Sequence, residues 1–332
     1  MAIFHRSAVA LATAACFAAL FLVIATAPRV ELSSSAQAVG LSLPAGQREL
    51  VRVEREHADR DLKRGVQTML PGGVLYIPPN FRSDDGRFDL LVHFHGNTEL
   101  LEASVAEAGL NAILYIVNAG IGTRRYLDAL SPPDALDELA DRSARVAAEQ
   151  GLQKARVRRV ALSAWSAGFA AVGQILRHRP ARVDAVLLMD GLHAPFSDEK
   201  LRVPDRRSME PFLEFSDRAA AGERLFVITH SNIETYTYAS TAQTAEMILG
   251  EQHLHSHKVI AKPLIAAFPA ARRATPSHYH DGLVETSEAH KRGLQVRGFR
   301  GDRAEHHIAH LAQMSLTVLP PLVARWQKST ID

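Results

Sequence analysis

The chain has 332 residues, 47% of them hydrophobic but only 6% aromatic, enough to bury one large core or two modest ones. Its formal net charge is +2 with acids and bases interspersed, so no basic block marks a nucleic-acid footprint or another strongly charged partner. The single cysteine, Cys16, lies in an N-terminal apolar run, which leaves the rest of the chain without disulfides or thiol catalysis.

His5 and Arg6 precede a nearly uncharged run from Ala8 to Ala27, followed by "PRVELSSSAQAVG". That order predicts a secretory signal over residues 1–38, cleaved after Ala36-Gln37-Ala38 or, as a second candidate, after Ala25-Thr26-Ala27. The run is also close to the roughly 20 residues that span a bilayer. An uncleaved anchor is therefore the alternative, and it would be the only membrane contact. In both cases the bulk of the chain is expected to be secreted, periplasmic or at the cell surface. Residues 39–69 read as a polar extension, and residues 70–332 as one domain.

From there apolar β-type runs alternate with helical patterns. "GGVLYIP" (Gly72–Pro78) and "RFDLLVHFHG" (Arg87–Gly96) flank the turn-rich "PPNFRSDDG", which predicts a hairpin-like pair. "TELLEASVAEAG" (Thr98–Gly109) has helical spacing, with Thr98 as cap and Gly109 as stop. "NAILYIVN" (Asn111–Asn118) is a strand, and Ser131–Gly151 an amphipathic helix. The strand "VRRVALSA" leads into the helix "AGFAAVGQILRHR". Val183–Gly191 and Arg224–Ser231 are strands, Tyr238–Gln252 a helix, Gly293–Gly301 a strand, and a last helix starts near Ala304. Near-continuous apolar strands alternating with helices predict an α/β fold, a mostly parallel sheet covered on both faces. Leu192–Glu210 and His253–Arg292 break the alternation and are expected to be loops or a cap over a site.

Within "VALSAWSAGFAAV" (Val160–Val172) an apolar strand runs into Ser166, and small residues and a helix follow. A serine needs a base to take its proton before it can act as a nucleophile. One way to expose it is a sharp strand-to-helix turn, which demands small neighbours because backbones pass closely. Ala164-Trp165-Ser166-Ala167-Gly168 meets that demand and resembles the nucleophile elbow G-x-S-x-G of the α/β-hydrolase superfamily, with Ala in place of the first Gly. The resemblance extends to "LLVHFHGNTE", where an H-G segment ends a strand two elements before the elbow. It implies an oxyanion hole formed by the amide of Asn97, or of Gly96, together with that of Ala167.

The resemblance further implies a histidine after the last strand. "RGFRGDRAEHHIAHLAQM" offers His306, His307 and His310, of which His307 is the preferred base, His306 the second choice and His310 a packing or capping residue. The acid is expected after a late strand. "RLFVITHSNIETY" contains only Glu234, whereas "VDAVLLMDGLHAP" places Asp190 at a strand end one strand earlier. Asp190 is preferred over Glu234, with Asp281 and Asp302 as remaining candidates. Its task would be to fix the histidine tautomer and stabilise the imidazolium.

The implied activity is hydrolysis of a small-molecule ester or acyl substrate, with an amide as the harder alternative, and the chemistry requires no cofactor. Two other readings compete. Alternating histidines in "HFH" (His93, His95), "HLHSH" (His253, His255, His257) and "SHYHD" (His278, His280, Asp281) would share faces on strands and serve a zinc-dependent hydrolase. A non-catalytic binding protein would keep the fold without the triad.

Overall fold

The apolar runs become strands of one eleven-stranded sheet in a computed structural model, which describes residues 62–261, 263–265 and 283–328. The expected signal, most of the extension and the "SHYHD" stretch lie outside the described residues. In chain order the elements are β1 (Val66–Leu70), β2 (Gly73–Ile77), β3 (Arg87–Phe94), α1 (Thr98–Glu107), β4 (Ile113–Val117), α2 (Thr123–Ala129) and α3 (Ala135–Glu149). Then come β5 (Arg156–Trp165), a 3-10 turn (Ser166–Gly168), α4 (Phe169–His178), β6 (Val183–Met189), β7 (Phe196–Asp198), β8 (Val203–Pro204), α5 (Arg206–Ala220) and β9 (Leu225–His230). The last are α6 (Thr241–Glu251), β10 (His257–Lys258), β11 (Pro263–Leu264), β12 (Leu283–Lys291), β13 (Leu294–Arg300), α7 (Ala304–Ala312), α8 (Met314–Thr317) and α9 (Leu319–Lys328).

The strands lie in the order β1-β2-β4-β3-β5-β6-β9-β13-β12-β10, with β11 also on β12. Every pairing from β4 through β13 is parallel, and the antiparallel pairings are confined to the two edges. This is the mostly parallel sheet expected from buried apolar strands. Side chains alternate between its faces as the pleat requires. In β6, Val186 and Leu188 join one core with Tyr126 of α2, Leu136 of α3, Ile175 of α4, Phe212 of α5 and Ile248 of α6. Ala185, Leu187 and Met189 face the other core, with Leu101 of α1, Ile308 of α7 and Leu322 and Trp326 of α9.

Several expectations need correction. The two runs read as a hairpin do not pair: β2 lies between β1 and β4, while β3 pairs with β4 and β5. The turn between them connects strands that β4 separates, a long-range pairing that local turn chemistry does not reveal. β1 begins at Val66, inside the stretch read as extension. The cap of α1 is Asn97, whose side chain accepts from the Leu100 N–H, rather than Thr98. The irregular Leu192–Glu210 holds two short strands and the start of α5, which the side chain of Asp205 caps and which tolerates Pro211. His253–Arg292 contains β12, which pairs along most of β13. Among the described residues no helix is long and apolar enough to cross a membrane.

Candidate active site

The strand order reverses between β3 and β5: β3 connects to β4 on one side, and the chain then crosses to β5 on the other. In open α/β sheets ligands bind at the carboxyl ends of the strands beside such a reversal. There the backbone is unusual. His95 follows β3 with φ 70°, Ser166 follows β5 with φ 51°, and Asp190 follows β6 with φ 45°. β3, β5 and β6 are neighbours, so three non-glycine residues in the left-handed region stand side by side. Such conformations cost on the order of 1–3 kcal/mol each and persist where the surroundings enforce them.

The enforcement is steric. A Cβ on Gly168 would come within 2.1 Å of the Phe94 carbonyl oxygen and 3.0 Å of the His95 Cβ. A Cβ on Gly191 would lie 2.5 Å from the Ser166 carbonyl oxygen and 2.6 Å from its nitrogen. The turn carrying Ser166 is therefore pressed between the ends of β3 and β6, and glycine occupies both points of closest approach. Ser166 itself is half-buried.

Asp190 is buried, and His307 approaches it from the first turn of α7, with Nδ1 2.8 Å from Asp190 Oδ2. An ionised carboxylate only accepts, so this contact puts the hydrogen on Nδ1 and leaves Nε2 as the basic nitrogen. The other carboxylate oxygen accepts from the Ser231 N–H at 2.8 Å, the Ser231 hydroxyl at 2.9 Å and the Thr241 hydroxyl at 2.7 Å. Ser231 follows β9, and Thr241 is the first residue of α6, whose positive end favours a carboxylate. Burial alone would raise the Asp190 pKa, but neighbouring histidines and these hydrogen bonds outweigh it and hold the group well below the ordinary carboxylate value. Burial pushes His310 down to about 4, so it is uncharged near neutrality and the hydrogen bonds carry that effect there.

The segment after β3 is fixed from two sides. The side-chain amide of Asn118 accepts from the Gly96 N–H and donates to the Gly96 carbonyl, both at 3.0 Å. The Gly96 amide is thus engaged, and Asn97 is the candidate donor in this segment that Asn118 leaves untouched. Beneath it, buried His93 donates from Nε2 to the His95 carbonyl at 3.2 Å and accepts at Nδ1 from the Ser163 hydroxyl at 2.7 Å. Burial lowers the His93 pKa to about 3, which suits this neutral role.

Of the sequence candidates, Asp190 and His307 are in direct contact, and Ser166, Ala167 and Asn97 stand just beyond the ends of the neighbouring strands β5 and β3. His306 turns away: its Nδ1 accepts from the Asp302 and Arg303 N–H groups at 3.1 Å each. His310 packs edge-on against Phe299, with Nδ1 2.8 Å from the Thr229 hydroxyl oxygen. Glu234 is exposed, Asp302 is exposed beside His306, and Asp281 lies outside the described residues. His93 and His95 face separate partners, and His253, His255 and His257 are exposed. Among the described residues no three His, Cys, Asp or Glu side chains are grouped to hold a metal ion. Sequence reasoning gave no role to Ser231 or Thr241, whose groups hold the Asp190 carboxylate. For Thr241 the capping box of Ser240 and Gln243 was a readable signal of a helix start.

No protein-family model and no curated protein matches the chain. Among solved structures, an enterobactin esterase from Shigella flexneri is similar over 81% of this chain and 61% of its own, at 11% identity and TM-score 0.45. An acetyl xylan esterase from Aspergillus awamori is similar over 71% of this chain and 92% of its own, at 11% identity and TM-score 0.38. A siderophore hydrolase from Aspergillus nidulans is similar over 75% and 94%, at 11% identity and TM-score 0.39. The chain's own architecture carries the assignment of fold: a parallel sheet ordered β4-β3-β5-β6-β9-β13, helices on both faces, and a left-handed turn after β5. The protein has the α/β-hydrolase fold.

Proposed function

We propose that the protein is an exported serine hydrolase of carboxylic esters, acting through an acyl-enzyme. The observation that carries this reading is the buried 2.8 Å contact between His307 Nδ1 and Asp190 Oδ2, made beside a serine in the left-handed region. Ser166 Oγ attacks the carbonyl carbon while His307 Nε2 takes its proton, and Asp190 stabilises the resulting imidazolium. The Asn97 and Ala167 amides donate to the oxyanion, a contribution worth about 3 kcal/mol per donor. Collapse expels the alcohol, which takes its proton from His307. Water then attacks the acyl-enzyme, losing its proton to the same nitrogen; the bond to Ser166 Oγ breaks, Oγ takes that proton back from His307, and the carboxylic acid leaves. Alkoxide is a better leaving group than amine, so an ester is the natural substrate.

A fluorophosphonate probe tests the reading. It should label the wild-type chain and not Ser166→Ala, and the same substitution should abolish hydrolysis of a p-nitrophenyl ester. Ester hydrolysis that survives Ser166→Ala, or that a chelator abolishes without any reaction with the probe, would overturn it. Export rests on the N-terminal segment, and N-terminal sequencing of the mature protein tests it.

A further inference from the structure

Trp165, the last residue of β5, is 4% exposed and stands between the two halves of the proposed machinery. Its indole N–H donates to the His307 backbone carbonyl at 2.8 Å. Its ring system meets the His307 imidazole with centroids 4.7 Å apart and planes inclined by 31°. The same indole stacks on His95, with centroids 5.4 Å apart and planes 11° from parallel, and His95 Nδ1 is 2.8 Å from the Tyr126 hydroxyl. A chain of rings thus runs from α2 through the end of β3 and the elbow to the histidine on α7. Burial as a hydrophobic filler accounts for the indole's position but not for its grip on one residue at both backbone and ring.

We infer that Trp165 is a positioning residue for His307, holding it at a fixed offset from Ser166 and stabilising the imidazolium that forms when the serine is deprotonated. The offset follows from covalent structure: Trp165 and Ser166 share a peptide bond, so a side chain that pins His307 to Trp165 pins it to the nucleophile. The stabilisation follows from the indole quadrupole, whose negative face attracts a cation within about 6 Å of the ring centroid. The inference rests on the serine-hydrolase reading.

Besides the indole, several titratable groups surround His307. Asp190, after β6, meets Nδ1. His95 after β3, His193 after β6 and His310 on α7 lie near enough to interact with it electrostatically, and burial pushes each of the three down to about 4. His306 on α7 and His230 at the end of β9 are lowered in the same way. Near neutrality a new positive charge on His307 would meet the Asp190 carboxylate and the face of Trp165.

The chain has only two tryptophans, and Trp326 lies at the other end of the strands, donating to Asp184 at the start of β6. Fluorinated tryptophans can therefore replace both with little change of shape while weakening the indole's attraction for a cation. With increasing fluorination the acidic limb of the kcat/KM–pH profile should move progressively to lower pH. The total shift should be about half a unit to one and a half units, with KM within about twofold.

Trp165→Leu should lower kcat by roughly tenfold and shift the limb in the same direction, and Trp165→Phe, which restores a ring face but not the N–H bond to His307, should recover most of the limb shift and only part of kcat. An unmoved limb across the fluorinated series, or equal losses in Leu and Phe with no shift, would reduce Trp165 to packing and overturn the inference. Fluorophosphonate labelling separates the two failures. A wild-type chain that is not labelled at Ser166 defeats the hydrolase reading itself, whereas full labelling with an unmoved limb defeats only the role of Trp165.

Discussion

Asp190 illustrates what a single buried carboxylate needs from its surroundings in order to stay ionised. Its two oxygens accept from a backbone amide, two hydroxyls and an imidazole, so it stays ionised in a buried place where a bare carboxylate would not. Asp190→Asn should lower kcat on the order of 10³–10⁴-fold, because an amide neither stabilises the imidazolium nor dictates the tautomer. Thr241→Val removes one donor to a charged acceptor and should lower kcat by about tenfold while leaving KM nearly unchanged. Steady-state kinetics on a p-nitrophenyl ester reads both, and a Glu234→Gln variant that is the more damaged of the three would move the acid elsewhere. The left-handed turn at Ser166 was legible in the sequence because a strained turn demands small neighbours, and "AWSAG" supplies them. The contact between Asp190 and His307 was legible only as a choice, since chain position does not say which carboxylate reaches an imidazole 117 residues away. Ser231 stood where an acid was sought. It instead donates to Asp190 one strand over, a role that only three-dimensional proximity discloses.

At the scale of elements, the site is made by the ends of β3, β5 and β6 meeting at separations that admit no extra atom. Gly168→Ala would drive a methyl group into the backbone carbonyl of Phe94, which cannot swing aside as a side chain could. We expect a loss of about 1–3 kcal/mol in stability, seen as a lower Tm, together with a loss of activity beyond what the Tm explains. Gly250→Ala is the control. That glycine lies inside α6 with nothing within 4 Å of the added carbon, and the substitution should raise stability by up to about 1 kcal/mol. If both variants melt alike, close approach is not what selects glycine at the elbow. The individual buried strands and the helices α1, α3, α4 and α6 could be read from apolar runs and caps. Pairing could not, because β4 enters between β2 and β3 by a crossover that leaves no local mark. The helix α5 was hidden by Pro211 within it, a residue that in isolation argues against helix.

Across the whole molecule the buried histidines tie stability to pH. His93, His95 and His310 are at most 4% exposed, and burial depresses them to about 3, 4 and 4. In the unfolded chain each would titrate near 6.5. Between about pH 6 and pH 4 the unfolded state therefore binds about three protons that the native state does not, and native stability falls as pH falls through that window. Glu102 acts in the opposite sense, because burial raises it to about 7 and the native state keeps a proton that the unfolded chain releases. His193, depressed to about 4 as well, brings the histidines to four against one, a net uptake of about three protons on unfolding, or about 4 kcal/mol lost per pH unit. Over the two pH units from 6 to 4 that is about 8 kcal/mol, enough to unfold a domain whose reserve lies in the lower half of the usual range of about 5–15 kcal/mol. Asp190, held below the ordinary carboxylate range, adds its own loss only further down, as it becomes protonated. Calorimetry from pH 7 to 4 should show the Tm falling slowly to about pH 6.5 and steeply below it. The slope should be shallower in His310→Asn, which removes one titrating group without touching the contact between His307 and Asp190. A Tm that stays level down to pH 4.5 would mean that these histidines reach water through openings of the native state and are not held neutral by the fold.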